Sequence, residues 1–173
     1  MKNSLLAYSS VDGHTKHICK RIAEFSNDLN IDILPIEEIK DISKYDLVVI
    51  GASIRYGKYR KEVFNFINRN IVNLNLKENA FFSVNVVARK PEKNSAETNP
   101  YVIKFLKKTN WTPKKIGVFA GKIDYPSYKF FDKYAIKLIM RISKGPTDTS
   151  KTYEFTDWKD VETFTRNLNL WVR

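Results

Sequence analysis

The chain has 173 residues, with 30 Lys and Arg against 19 Asp and Glu, one Cys, and a hydrophobic share of 43%. These values exclude a disordered chain, a span of roughly 20 apolar residues across a bilayer and an intrachain disulfide; they point to one cytoplasmic domain, 1–173, large enough to bury a core. The net charge of +11 is uneven, +2 over residues 1–80 (12 basic, 10 acidic) and +9 over 81–173 (18 and 9), so the second half is expected to face nucleic acid, anionic lipid or a polycarboxylate substrate.

Residues 3–8 read as a short buried strand, with no signal-peptide cleavage pattern behind it. Ile18, Ile22, Phe25 and Leu29 follow at helical spacing, the inward stripe of an amphipathic helix. Ile31–Leu34 is a second strand, stopped by Pro35. The β-branched run Asp46–Ala52 suits a central parallel strand. Val63, Phe66, Ile67 and Asn70 mark a second helix, and Ala80–Val87 another buried strand. Tyr101–Lys108 reads as helical and Lys115–Gly121 as a further strand. Asp157 caps a last helix with Val161, Phe164 and Leu168 inside. Strands alternating with helices imply a parallel sheet covered on both faces. Residues 122–150 alone break the rhythm. They form a long insertion near the last strand, too long for an ordinary connection.

Ligands of such sheets bind beyond the carboxyl ends of the strands. Three loops there carry chemistry. Ser9, Ser10, Val11, Asp12, Gly13, His14 and Thr15 combine hydroxyls with a turn glycine before a helix, the makings of an anion site or simply of a helix cap. The loop contains no Lys, and Gly-x-Gly-x-x-Gly is absent, so a Walker or dinucleotide site is not expected. Ser53, Ile54, Arg55, Tyr56 and Gly57 offer an aromatic surface and a cation, or an ordinary surface turn. Ser83, Val84, Asn85, Val86, Val87 and Ala88 end their strand in polar groups. His14 and His17 are too few for a metal site, and Cys19 reads as inert.

The first loop resembles the phosphate loop of flavodoxins. Beyond it, Asp12-Gly13, Val49–Gly57, Ser83–Lys93, Tyr134–Met140 and Thr147–Thr149 resemble the menaquinone-dependent protoporphyrinogen IX dehydrogenase family of bacteria, over nearly the whole chain. The resemblance implies an α/β, flavodoxin-like, doubly wound sheet of five parallel strands in the order 2-1-3-4-5. It also implies FMN, and oxidation of protoporphyrinogen IX to protoporphyrin IX in haem biosynthesis. Six electrons would leave in three two-electron steps, with menaquinone or another quinone as acceptor. Carried over, residues 9–15 would hold the phosphate, while 53–57 and 83–88 would flank the ring. Asp12 departs from the hydroxyl of most flavodoxins and is expected to point away and cap the turn. Arg55 is expected to stabilise negative charge on the reduced flavin; no general acid or base is assigned.

Lys58, Arg60, Arg89, Lys90 and Lys93 crowd the mouth loops and suit the substrate's propionates, unless they are merely solvated. Lys129, Lys133, Lys137 and Arg141 recur every four residues, a basic stripe spanning about 120° of a helix. Phe131, Tyr134, Ala135, Leu138 and Ile142 fall on a separate arc, whereas Ile136 and Met140 sit among the cations. One apolar patch would meet the protein and the other an anionic membrane surface, making the enzyme peripheral on the cytoplasmic face. A helix packed on its own domain with a solvated cationic face is the plainer reading. An electron carrier of flavodoxin type, or a quinone reductase without porphyrinogen activity, is the alternative function; the positive charge and the insertion argue against a carrier. A nucleic-acid binder rests on charge alone, with no recognisable motif. A homo-oligomer stays open.

Overall fold

A computed structural model describes residues 2–26 and 29–171. Five parallel strands form the main sheet: β1 (Lys2–Ser9), β2 (Leu29–Pro35), β3 (Leu47–Ser53), β4 (Glu78–Val84) and β5 (Lys115–Phe119). Their order is β2-β1-β3-β4-β5, as expected. The helices between them are α1 (His14–Glu24), α2 (Lys61–Leu76) and α3 (Pro100–Lys108). β6 (Lys122–Asp124), α4 (Phe130–Ile142) and β7 (Thr152–Glu154) follow, then α5 (Trp158–Asn169). β6 and β7 pair antiparallel as a separate two-stranded ribbon.

The sheet is apolar on both faces because both are covered. On one, Val48, Ile50 and Phe81 pack with Val63, Phe66, Ile67 and Phe105 of α2 and α3. On the other, Leu6, Val49 and Phe82 pack with Ile18 and Ile22 of α1 and with Val161, Phe164 and Leu168 of α5. The expected inward residues Ile18 and Ile22 of α1, Val63, Phe66, Ile67 and Asn70 of α2, and Val161, Phe164 and Leu168 of α5 are buried. Asp157 caps α5 by accepting from the Lys159 N–H at 2.9 Å.

Several boundaries differ from expectation, β5 among them, which ends at Phe119 and not at Gly121. Leu29 begins β2 instead of completing the α1 stripe, and Phe25 is already the C-terminal cap of α1. β4 stops at Val84, and Val86–Arg89 form a 3₁₀ turn. The cause is Asn85, whose side-chain oxygen accepts from the Ala88 N–H at 3.0 Å and turns the backbone out of the sheet. Pro35 ends β2 from within; on an edge strand its missing N–H costs no ladder bond.

Candidate active site

The three loops named from sequence converge at the carboxyl end of the sheet. A small cleft of about 50 Å3 is lined by Ser10, Asp12, His14 and Thr15 after β1, by Ser53 at the end of β3, and by Asn85 and Val86 after β4. Gly121, after β5, and Lys122, which opens β6, also line it. Lys122, paired with Asp124 at 3.6 Å, places a cation beside the first loop, which has none.

Gly13 stands at φ 81, a left-handed conformation that glycine adopts without strain, and it is the N-cap of α1 with no side-chain cap. The first backbone N–H groups of a helix have no intrahelical partner. The hydroxyls of Ser9 and Thr15 are likewise buried without a hydrogen-bond partner among the described residues. Buried orphan hydroxyls are costly unless something accepts or donates to them. Helix N–H donors and orphan hydroxyls together fit a phosphate.

Asp12 does not cap this turn. Its carboxylate accepts from Arg55 Nη1 at 2.7 Å. Burial nonetheless raises its pKa, with Arg55 opposing. The Arg55 guanidinium also lies 3.5 Å from Asp132 of α4 and over the rings of Tyr56 and Tyr128. It is a clasp between two carboxylates. Its turn is tight: Arg55 and Lys58 exchange both backbone hydrogen bonds, with Tyr56 at φ 50 and Gly57 at φ 77. Two left-handed residues in a two-residue loop make a hairpin of the primed type. The Tyr56 hydroxyl donates to Asp132.

The His14 ring, which lines the cleft, is tied to the segment before α5. Its Nε2 lies 2.7 Å from the Thr156 hydroxyl, which donates to the Ala120 carbonyl at 2.7 Å, so Nε2 is the donor in the first bond. Burial lowers the His14 pKa and favours the neutral ring. His17 is exposed, and burial raises the pKa of the enclosed Cys19 thiol.

Beside the cleft lies an apolar cavity of about 340 Å3, lined by Ile54, Tyr56, Gly57, Val86 and Val87 below and by Ile136, Ile139, Met140 and Ile142 of α4 above. Asn85, Val86 and Lys122 line both spaces. An anion site opening into an apolar slot fits a planar ring with a phosphate tail. The slot's walls are held by a buried network that the sequence reading missed. Ser83 accepts from Tyr59 at 2.6 Å and from Asn85 at 2.9 Å. Asn85 accepts from Asn99 at 3.1 Å, and Asn99 caps α3 through the Tyr101 and Val102 N–H groups.

The basic residues divide. Arg89 donates to the Ser143 carbonyl at 2.8 Å and to the Val86 carbonyl at 3.0 Å, so it ties the C-terminal cap of α4 to the loop after β4 while lining the 340 Å3 cavity. Arg60 pairs with Glu37 and Glu62. Lys90 and Lys93 line none of these spaces. Lys58 lines a third and larger cavity, of about 550 Å3, on the α2–α3 side of the 54–57 turn.

On α4, Ile136 and Met140 turn inward against Ile123, Tyr125 and Tyr128. The side turned away is apolar and in solvent, with Phe131 85% exposed, Phe130 68% and Leu138 59%, and Ile142 at the edge of the cavity is 76% exposed. Lys133, Lys137 and Arg141 flank it on one side, and Lys129 is the N-cap of the helix. No described helix is long and apolar enough to cross a membrane.

The flavodoxin domain model matches residues 5–150. The chain is 42% identical to protoporphyrinogen IX dehydrogenase [quinone] of Escherichia coli K12 over 169 residues, covering 95% of this chain and 93% of that protein. It is also 42% identical to the Leishmania major protein of the same name, over 92% of this chain and 71% of that one. Among solved structures, an archaeal flavodoxin superposes with a TM-score of 0.56 over 98% of both chains at 13% identity, a likeness of fold alone.

Proposed function

The chain belongs to the flavodoxin-domain family of quinone-dependent protoporphyrinogen IX dehydrogenases, and on that premise we propose that it oxidises protoporphyrinogen IX to protoporphyrin IX with bound FMN and a quinone acceptor, menaquinone above all, in haem biosynthesis. The observation that carries this reading is the orphan-hydroxyl anion loop opening directly into the apolar slot beneath α4. FMN supplies the two-electron chemistry, used three times for six electrons.

The chain's own residues do the positioning. Ser9, Ser10 and Thr15 hydroxyls, with the N–H groups of residues 12–15, would hold the phosphate. Residues 53–57 and 83–88 would flank the ring, and Ile136, Ile139 and Met140 would keep water from it. Arg55, balanced by Asp12 and Asp132, fixes the two loops and α4 in one geometry. The solvent-facing apolar side of α4 and its basic flank suit an anionic membrane surface, where a lipid-soluble quinone resides. The enzyme would thus work from the cytoplasmic face as a peripheral protein.

The test is oxygen-free turnover of protoporphyrinogen IX by the FMN-loaded protein, followed by porphyrin fluorescence. Porphyrin formed only when a menaquinone analogue is supplied is the expected result. Flavin binding without turnover would leave an electron carrier or a reductase with another donor.

A further inference from the structure

The 550 Å3 cavity between the 54–57 turn, the start of α2 and α3 is the largest of the described cavities, and none of the roles above requires it. Its floor is aromatic: Tyr59 and Phe105 are buried, and Phe64 and Tyr101 half-buried. Its rim is basic, with Lys58, Lys61, Lys104 and Lys108, and no carboxylate lines it. Among the described residues none of these four lysines has an ion pair, whereas the neighbouring arginines are both neutralised. Lys108 Nζ is held 4.4 Å above the Phe64 ring, over the apolar floor. Ile54, Tyr56, Gly57 and Tyr101 line this cavity and also the slot beneath α4, so the two spaces are neighbours across one turn.

A volume of this size is that of a small-molecule site. An apolar floor inside a ring of unpaired lysines selects a flat apolar body that carries two or more carboxylates. We propose that this cavity is the binding site for an amphipathic polycarboxylate. On the reading above, which this inference rests on, that ligand is the propionate-bearing tetrapyrrole. Tetrapyrrole and quinone then approach from opposite sides of the 54–57 turn. The basic aromatic cavity takes the former and the α4 face the latter. Lys104 and Lys108 hold the carboxylates, and Tyr101 and Phe64 contact the macrocycle.

The test uses the FMN-loaded full chain and titrates protoporphyrin IX and its dimethyl ester, in the same detergent, by protein fluorescence quenching. The double variant Lys104→Glu/Lys108→Glu is compared with Lys107→Glu/Lys159→Glu, which makes the same charge change at exposed positions outside the cavity. We expect binding of the free acid to weaken about tenfold or more in the first variant only, with the ester bound weakly by both and flavin content and the quinone KM unchanged. Equal weakening in both variants would mean bulk charge alone, and unchanged binding would place the site elsewhere; either overturns the inference. The two failures separate cleanly. Wild-type protein that oxidises protoporphyrinogen with the same KM as the double variant refutes the cavity and leaves the function. Wild-type protein that binds porphyrin through these lysines but never oxidises its reduced form refutes the function and leaves the site.

Discussion

Arg55 Nη1 stands 2.7 Å from the Asp12 carboxylate, joining the turn after β3 to the anion loop after β1. The same guanidinium meets Asp132 of α4, so one largely buried side chain couples three segments of the site. Removing it leaves two carboxylates facing each other without a counter-charge. Arg55→Gln is expected to cost about 2–3 kcal/mol in urea unfolding and to weaken flavin retention. Asp12→Asn should cost less than about 1 kcal/mol, because burial already disfavours that charge and Arg55 keeps Asp132. Equal losses in the two variants would contradict the clasp.

Gly13 carries the second prediction. An added Cβ would meet no protein atom within 4 Å, yet φ 81 is a conformation that a β-branched residue resists. Gly13→Val should therefore fold, lose about 1–3 kcal/mol, and purify without flavin, since the open space beside Gly13 is where a phosphate would lie. Flavin absorbance at the wild-type level in that variant would remove the loop from the cofactor site.

His14 makes stability depend on pH. Its folded pKa lies below the ordinary 6.5 because burial disfavours the charged ring. Between those two values the unfolded chain binds more protons, so stability rises with pH there. The contribution is complete above about pH 6.5 and is lost as pH falls through the folded value. Urea midpoints of the apoprotein between pH 5 and 7.5 should show this slope, and His14→Gln should flatten it. An unchanged slope would place the acid sensitivity elsewhere.

Much of this was legible in sequence. The run Asp46–Ala52 became β3 almost residue for residue, and the α5 stripe of Val161, Phe164 and Leu168 is buried. Local pattern suffices where one face must be covered. It failed where one side chain redirects the backbone, as Asn85 does in ending β4. It also failed where a charge finds a distant partner: Asp12 and Arg89 were read from their own loops, but their partners lie 43 and 54 positions away. The ribbon of β6 and β7 escaped notice because three-residue strands have no measurable period. The cavity lysines did leave a signal. Tyr101, Lys104, Phe105 and Lys108 share a face of α3 at spacings of three and four, on a helix that lies outside the strand-end loops.

The α4 surface gives a prediction of its own. Replacing Lys129, Lys133, Lys137 and Arg141 by Gln should weaken binding to anionic vesicles about a hundredfold or more, at about 1 kcal/mol per basic residue. Turnover with a soluble quinone should survive. A second variant, Phe131→Ser/Ile142→Ser, should reduce binding to neutral vesicles too, since both side chains stand in solvent. Vesicle sedimentation that matches the wild type in both variants would show that α4 is not the membrane contact.

The most direct measurement separates the two half-reactions. FMN-loaded protein is mixed with protoporphyrinogen IX in the absence of oxygen while flavin absorbance is followed, and a menaquinone analogue is then added. The account predicts bleaching on the first addition, as the flavin takes the first two electrons, and recovery of the flavin colour with porphyrin formed on the second. Flavin that stays oxidised in the presence of protoporphyrinogen IX would contradict it.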